Sequence, residues 1–384
     1  MNFSVDLKLK EANNLTMKKN LFVSLFAIIL MFSAQAEDDL KAKFKVGNLE
    51  IKAMNALDFG PEGILFIGDS ENGKVFALDT KDSKANAEAA DFNISSIDQK
   101  VAELLGTTPE NMTISDLAVN PISKSVYLAV THTNGSSVLV KIEDNEQMSV
   151  VDLSQASFDE QSLEDAVAVD AKDRRGRSLR KWAISDLNYS NGKVMLTGLS
   201  NKEFGSTFRA MPFPFDGDQK MSSLEIYHAA HGQYETDSPI KAFTTATMAG
   251  KDYVVASYTC TPLVIFPASD LRAGEHVKGR TVAELGNWNT PLDMIVMQKD
   301  GASYLLMANS ARSVMKIKLE NIENFSGSLT ERVEERSGTA GVDFIALPFV
   351  NVLQLDQLDD KRFVMLQRKA DGNLQLWTAN NRWL

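Results

Sequence analysis

Three aspartates recur in one local pattern, Ser115-Asp116-Leu117, Ser185-Asp186-Leu187 and Leu292-Asp293-Met294. Each opens a short apolar stretch, and equal position in a repeated extended element implies equal direction of the side chain. Carboxylates sent into one enclosed space repel unless a cation or a shared proton offsets them. One divalent cation, calcium in first place, suits such oxygen donors, with Asn309 or Asn55 completing its shell. Water on that ion would supply a nucleophile, and His132 in Thr131-His132-Thr133 is the candidate general base. The same aspartates also suit a second use, accepting hydrogen bonds from backbone N–H groups where repeats meet.

A second group is expected to face the same space from the loops that follow the second strand of each repeat. Asp69, Tyr258, Cys260 and Arg312 are its candidate ligand contacts. Cys260 is the only cysteine, which rules out an intrachain disulfide. Its thiol is a buried apolar group, a bridge to another chain, or a ligand to a soft metal together with His132. His228-Ala-Ala-His231 lacks the glutamate of a His-Glu-x-x-His helix and reads as a surface pair at the end of a strand. The chain contains no Gly-rich phosphate loop, serine elbow or haem-attachment motif.

The elements that would position these residues are short apolar strands separated by Gly, Asn and Asp. A unit of inner strand, tight turn, strongly apolar second strand, polar loop and third strand recurs. Its first copy is Asn55-Ala-Leu-Asp-Phe59, Ile64-Leu-Phe-Ile-Gly-Asp69 and Lys74-Val-Phe-Ala-Leu-Asp79. Further copies begin at Ile114, Ile184, Ala242, Leu292 and Val350. Six copies spaced by roughly 50–70 residues exceed a WD40 blade and predict a six-bladed β-propeller with inserted loops, seven blades being the alternative. Lys45-Val-Gly-Asn-Leu-Glu-Ile51 is expected to pair with the last copy and close the ring, removing exposed sheet edges. Residues 95–105 alternate at helical spacing, with Ile97, Val101, Leu104 and Leu105 on one face. Residues 172–181 carry six basic side chains, which suit a solvated loop or a docking site for an acidic partner.

Ala56-Leu57-Asp58-Phe59-Gly60-Pro61-Glu62-Gly63-Ile64-Leu65-Phe66-Ile67-Gly68-Asp69 resembles a blade of the NHL and SMP-30/gluconolactonase-like propellers. The resemblance implies six blades. It further implies, from the metal-dependent members, hydrolysis of lactones or related esters by one divalent cation held at the channel mouth. In those members a glutamate opens the first inner strand and binds the metal, whereas Asn55 stands at the matching place here.

The start of the chain predicts export. Met17-Lys18-Lys19-Asn20 leads into an apolar run from Leu21 to Phe32 and then Ser33-Ala34-Gln35-Ala36, the pattern of a cleavable signal peptide. Residues 1–36 are therefore the signal with a possible upstream extension, and 37–384 a single propeller domain, periplasmic or secreted. The apolar run is shorter than the roughly 20 residues needed to span a bilayer, so stable membrane insertion is not expected. The net charge of −11 makes nucleic acid an unsuitable partner, because phosphate neutralisation needs clustered Lys and Arg. The sequence thus predicts a binding protein that holds a small molecule, metal ion or protein at the channel mouth, with a metal-dependent hydrolase as the alternative.

Overall fold

The computed structural model describes residues 39–143 and 146–384, so the expected signal peptide lies outside the described residues. The chain divides into Met1–Ala42 and Lys43–Leu384. All strands among the described residues belong to the second unit, which is built as six sheets. No helix among the described residues is long and apolar enough to cross a membrane.

Each sheet is one propeller blade, numbered here by the order of its inner strand in the chain. The inner strands are Met54–Phe59, Met112–Val119, Asp186–Ser190, Ile240–Met248, Pro291–Lys299 and Val352–Gln357. Second strands are the most apolar because blades cover them on both faces, and Ile64–Asp69 is buried along its whole length. Turn chemistry fixes register. In blade 3, Asn191 and Gly192 at φ 51° and 73° join the inner strand to Lys193–Leu199, the two-residue turn whose twist matches antiparallel strands.

The core lies between neighbouring blades and reveals their order. Leu57 and Leu65 of blade 1 pack with Tyr127 and Leu139 of blade 2, while Val126 and Leu128 of blade 2 pack with Val364 and Leu366 of blade 6. Phe66 of blade 1 stacks on Tyr189 of blade 3 at 5.2 Å between ring centres. Blades 3 to 6 then follow one another through their own shared clusters. Going round the ring the blades therefore run 2-1-3-4-5-6, with blade 1 inserted between blades 2 and 3.

This order corrects the expected closure. Lys45–Gly47 is mostly exposed and pairs with Ala156–Ser162 at the outer edge of blade 1. The strand that completes blade 6 is Asn93–Ser95, with Ile94 buried against Leu376. Because blade 2 stands next to blade 6, the segment entering blade 2 is the one that passes that edge. Ala156–Ser162, leaving blade 2, returns in the same way to complete blade 1 before the chain enters blade 3.

Two smaller expectations also change. The helix spans Ile97–Leu104 and buries Ile97 and Val101, but Leu104 faces solvent. Within the basic stretch Arg180 is buried, and its guanidinium donates to the carbonyls of Glu71 and Val167. It is a structural cation and not part of a solvated loop.

Candidate functional site

The inner strands converge on a channel cavity of about 330 Å³ lined by Asp58, Asp116, Asp186, Asp293 and Asp356. Bulges shape its wall. Register shifts fall between Ile114 and Asp116 and between Pro291 and Asp293, with matching shifts before Ala56, Ala242 and Gln354, while the inner strand of blade 3 pairs in even register. An extra residue at this point re-aims the side chains that follow it. Counted from the bulge, Asp58 and Asp356 stand two residues beyond the level of Asp116 and Asp293, where blade 4 carries Thr244.

All five carboxylates are held in one way. One oxygen accepts the amide hydrogen of the next residue, as in Leu117 to Asp116 at 2.9 Å and Leu187 to Asp186 at 2.8 Å. The other oxygen accepts an amide hydrogen from the neighbouring blade. Leu57 donates to Asp116 at 2.6 Å, Tyr189 to Asp58 at 2.5 Å and Phe243 to Asp186 at 2.8 Å. Leu355 donates to Asp293 at 2.7 Å, and Val119 to Asp356 at 2.6 Å. Aspartate is suited to this clasp because its short side chain offers two acceptors and no donor when ionised. The three predicted aspartates are thus brought together at blade junctions, in the backbone-accepting role, and their carboxylates also line the channel.

Electrostatics opposes full ionisation. The aspartates keep partial exposure because the channel is open to water, but protein encloses them on all sides. Burial raises Asp116, with the Asp186 charge adding to it, and raises Asp293, with the Asp116 charge adding. Asp58 is raised by burial and then by Asp356. Asp186 is pushed by burial to about 7, its two amide donors and Lys241 acting in the opposite direction. Asp356 is pushed by burial to about 6. Each clasp favours the charged form, but desolvation and crowding outweigh it. A cation in the channel would reverse that balance, since each carboxylate oxygen receives one amide hydrogen and retains a further lone pair.

Asp58 and Asp356 were not recognisable as members of the set because they sit two residues along from the others. Their shared signal is an aspartate directly after leucine in an inner strand, Leu57-Asp58 and Leu355-Asp356. Asn309 is buried away from this cavity. Its Nδ2 donates to the carbonyls of Met307 and Ser313, and its Oδ1 accepts from Asn289. Asn55 is the bulge residue of blade 1, and its Oδ1 accepts the Ser70 amide hydrogen at 2.9 Å. His132 ends a second strand, opposite Met112, and is not among the residues lining the channel.

The expected ligand contacts are dispersed. Asp69 is buried and accepts amide hydrogens from Lys52, Ala53 and Asn72. Arg312 lies against Gly286 and donates to the Ser337 carbonyl. Tyr258 is buried with its hydroxyl unpartnered.

Cys260 has neighbours other than those expected. One atom each from His228, His231 and Cys260 lie within 4.8 Å of one another. Glu235 joins the two rings, accepting from His228 Nδ1 at 2.9 Å and His231 Nδ1 at 2.5 Å. His228 is not a surface residue, being only 2% exposed. The turn after its strand explains this, since His231 and Gly232 both donate to the His228 carbonyl and fold the second ring over the first.

No protein-family profile matches the sequence, and no curated protein matches it either. Among solved structures the chain is similar to a GH43 endo-arabinanase from Bacillus licheniformis. The identity is 13% and the TM-score 0.35, over 71% of this chain and 94% of that one. It is similar to the PQQ-bound aldose sugar dehydrogenase of Streptomyces coelicolor at 10% identity and a TM-score of 0.29, over 88% of this chain and 99% of that one. Likeness at this level says nothing of what this chain binds or does, and the fold rests on the six sheets themselves.

Proposed function

We propose that the protein is a binding protein whose channel mouth takes up a small cationic ligand, with calcium or another hard divalent ion in first place. One observation carries this reading: five carboxylates share a cavity of about 330 Å³, where burial raises all five and neighbouring carboxylates add to it at Asp58, Asp116 and Asp293. A divalent ion offsets that repulsion and is offered oxygen donors only. The signal-like start of the chain supports a periplasmic or secreted setting. There an affinity on the order of 10⁻⁴–10⁻³ M is enough for an extracellular calcium module. The test is a calcium titration of chelator-treated mature protein by calorimetry and thermal melting at pH 8. Saturable binding that raises Tm and is weakened in Asp186→Asn supports the reading. Absence of any heat or Tm response to calcium, magnesium, manganese or a small diamine overturns it.

One observation favours catalysis as a second reading. Asp186, pushed up to about 7, is poised to accept a proton from water near neutral pH. The lactone or ester hydrolysis that the SMP-30-like resemblance implies would then use Asp186, and not His132, as the base from outside the shell of a cation held by the other carboxylates, since an ion bound to Asp186 itself would bring it back down. Lactone and ester turnover that follows calcium occupancy and is lost in Asp186→Asn is the supporting outcome. Calcium binding without turnover leaves the binding reading alone.

A further inference from the structure

We propose that His228, His231 and Cys260 form a second metal site, for a borderline transition metal with zinc in first place, between the outer part of blade 3 and the turn of blade 4. It is separate from the channel and independent of the reading given for it. His228 ends the strand Lys220–His228, and Glu235 belongs to the short strand Gln233–Glu235 that folds back on it. Cys260 comes from the hairpin turn between Lys251–Tyr258 and Pro262–Pro267. Three donors, one at a strand end and two in turns, are thus delivered by two blades.

The histidines are arranged as ligands usually are. A carboxylate accepts at Nδ1 of each ring, so in the neutral imidazoles Nδ1 carries the proton and Nε2 carries the lone pair. A carboxylate on the far nitrogen fixes the tautomer and raises the basicity of the ligating one. The ring centres are 3.9 Å apart, close enough for one ion to serve both. His228 Nε2 is buried and has no hydrogen-bond partner, so the polar atom left over is the one a metal would take.

The backbone at Cys260 serves the same arrangement. Cys260 and Thr261 have φ of 67° and 59°, in the left-handed region that ordinary side chains avoid. The turn is held by the Cys260 amide hydrogen on Asn289 and the Thr261 hydroxyl on Gly286. Strain of this sort persists where the surroundings over-determine it and is concentrated at functional sites. Glu284 adds a carboxyl group from a third direction. It is fully buried, accepts the amide hydrogen of Ala230 between the two histidines, and leaves Oε1 unpartnered. A thiol, two imidazoles and two nearby carboxyl groups together make a donor set that a cation can take up.

Thiolate with imidazole is the donor set of zinc, not calcium. Ion–donor distances of about 2.0–2.3 Å in a tetrahedron require the ligand atoms to close by about 1 Å, within the reach of side-chain rotation. Binding converts the Cys260 thiol to a metal thiolate and releases its proton to solvent, with no change in oxidation state. Three protein donors leave the fourth position to water, on the side where the His231 ring is 46% exposed.

Cobalt tests the site, because a thiolate bound to Co²⁺ gives a charge-transfer band that no oxygen site produces. Full mature protein, stripped with chelator, is titrated with Co²⁺ and then with Zn²⁺. We expect one equivalent of Co²⁺ with a thiolate band, displaced by Zn²⁺. The band should be lost in Cys260→Ser, weakened at least tenfold in affinity in His231→Ala, and unchanged in Asp186→Asn. His231 is half exposed, so its variant keeps the fold, and its far-UV spectrum verifies this. Failure to bind stoichiometric Co²⁺ or Zn²⁺ overturns the proposal. So does a band that survives in Cys260→Ser or binding that is unaltered in folded His231→Ala.

Discussion

Oδ2 of Asp356 in the last blade accepts the amide hydrogen of Val119 in the second blade at 2.6 Å. The two residues are far apart in the chain, and the bond joins the end of the propeller to its beginning. Replacing Asp356 by Ala leaves the amides of Val119 and Gln357 without this acceptor. Buried N–H groups in that condition cost about 1–3 kcal/mol. Urea denaturation is expected to show a loss of that size with an unchanged m-value, since the exposed surface on unfolding does not alter. Asp356→Asn should lose less, because the amide oxygen retains one of the two bonds.

Stability should fall as pH rises from about 4 to about 7. Asp186 is held up to about 7 and Asp356 to about 6, while both titrate in the usual carboxylate range once unfolded. In that window the folded chain binds more protons than the unfolded one, which makes the slope of unfolding free energy with pH negative. Allowing for water in the channel, about 1–3 kcal/mol should be lost between pH 4 and pH 8 in chelator. Melting curves across this range check it. The slope should flatten in Asp186→Asn, and saturating calcium should restore stability at pH 8 far more than at pH 5. A flat profile, or one that rises, contradicts the charge balance described for the channel.

Legibility in the sequence followed the range over which each feature is encoded. Strands such as Ile64–Asp69 and Leu374–Asn380 are local, written in apolar runs between turn residues, and six blades could be counted from them. The equivalence of Asp116, Asp186 and Asp293 was also local, because each stands directly before an apolar residue in an inner strand. Asp58 and Asp356 were hidden by a two-residue offset that only the ring geometry makes equivalent. The exchange of blades 1 and 2 was not legible at all. It depends on where Asn93–Ser95 and Ala156–Ser162 pair, and short strands carry too little pattern to name their partners. His228 and His231 looked like surface residues because Glu235, which orders them, lies beyond a reverse turn.

Arg180 supports a further test. Its guanidinium reaches the Glu71 and Val167 carbonyls and leaves no room beside Gly73, where an added Cβ would meet Nη2 at 2.5 Å. Arg180→Ala should cost about 2–3 kcal/mol, the worth of charge-assisted hydrogen bonds plus lost packing. Arg180→Lys should recover little, because an ammonium cannot span both carbonyls as the planar fork does. Replacement of Arg174 or Arg175, in the exposed part of the same basic stretch, should change stability by less than about 0.5 kcal/mol. Equal effects at Arg174 and Arg180 in thermal melts would contradict the structural role given to Arg180.

The two short N-terminal strands offer a direct comparison of which one closes the ring. Ile94 is 1% exposed and packs in the cluster shared by blades 2 and 6, whereas Val46, centred in Lys45–Gly47, is 71% exposed. Shortening a buried isoleucine to alanine removes apolar contacts and leaves a cavity, so Ile94→Ala should lose about 2–4 kcal/mol. Val46→Ala should stay within about 0.5 kcal/mol of the parent protein. Native-state hydrogen exchange adds the spatial readout. In Ile94→Ala the amides of Leu374–Asn380 should exchange faster, because their outer neighbour is weakened. In Val46→Ala any change should be confined to Ala156–Ser162, at the edge of blade 1. If instead Val46→Ala loosened blade 6, closure would belong to the first strand after all, and the exchange of blades 1 and 2 would have to be given up with it.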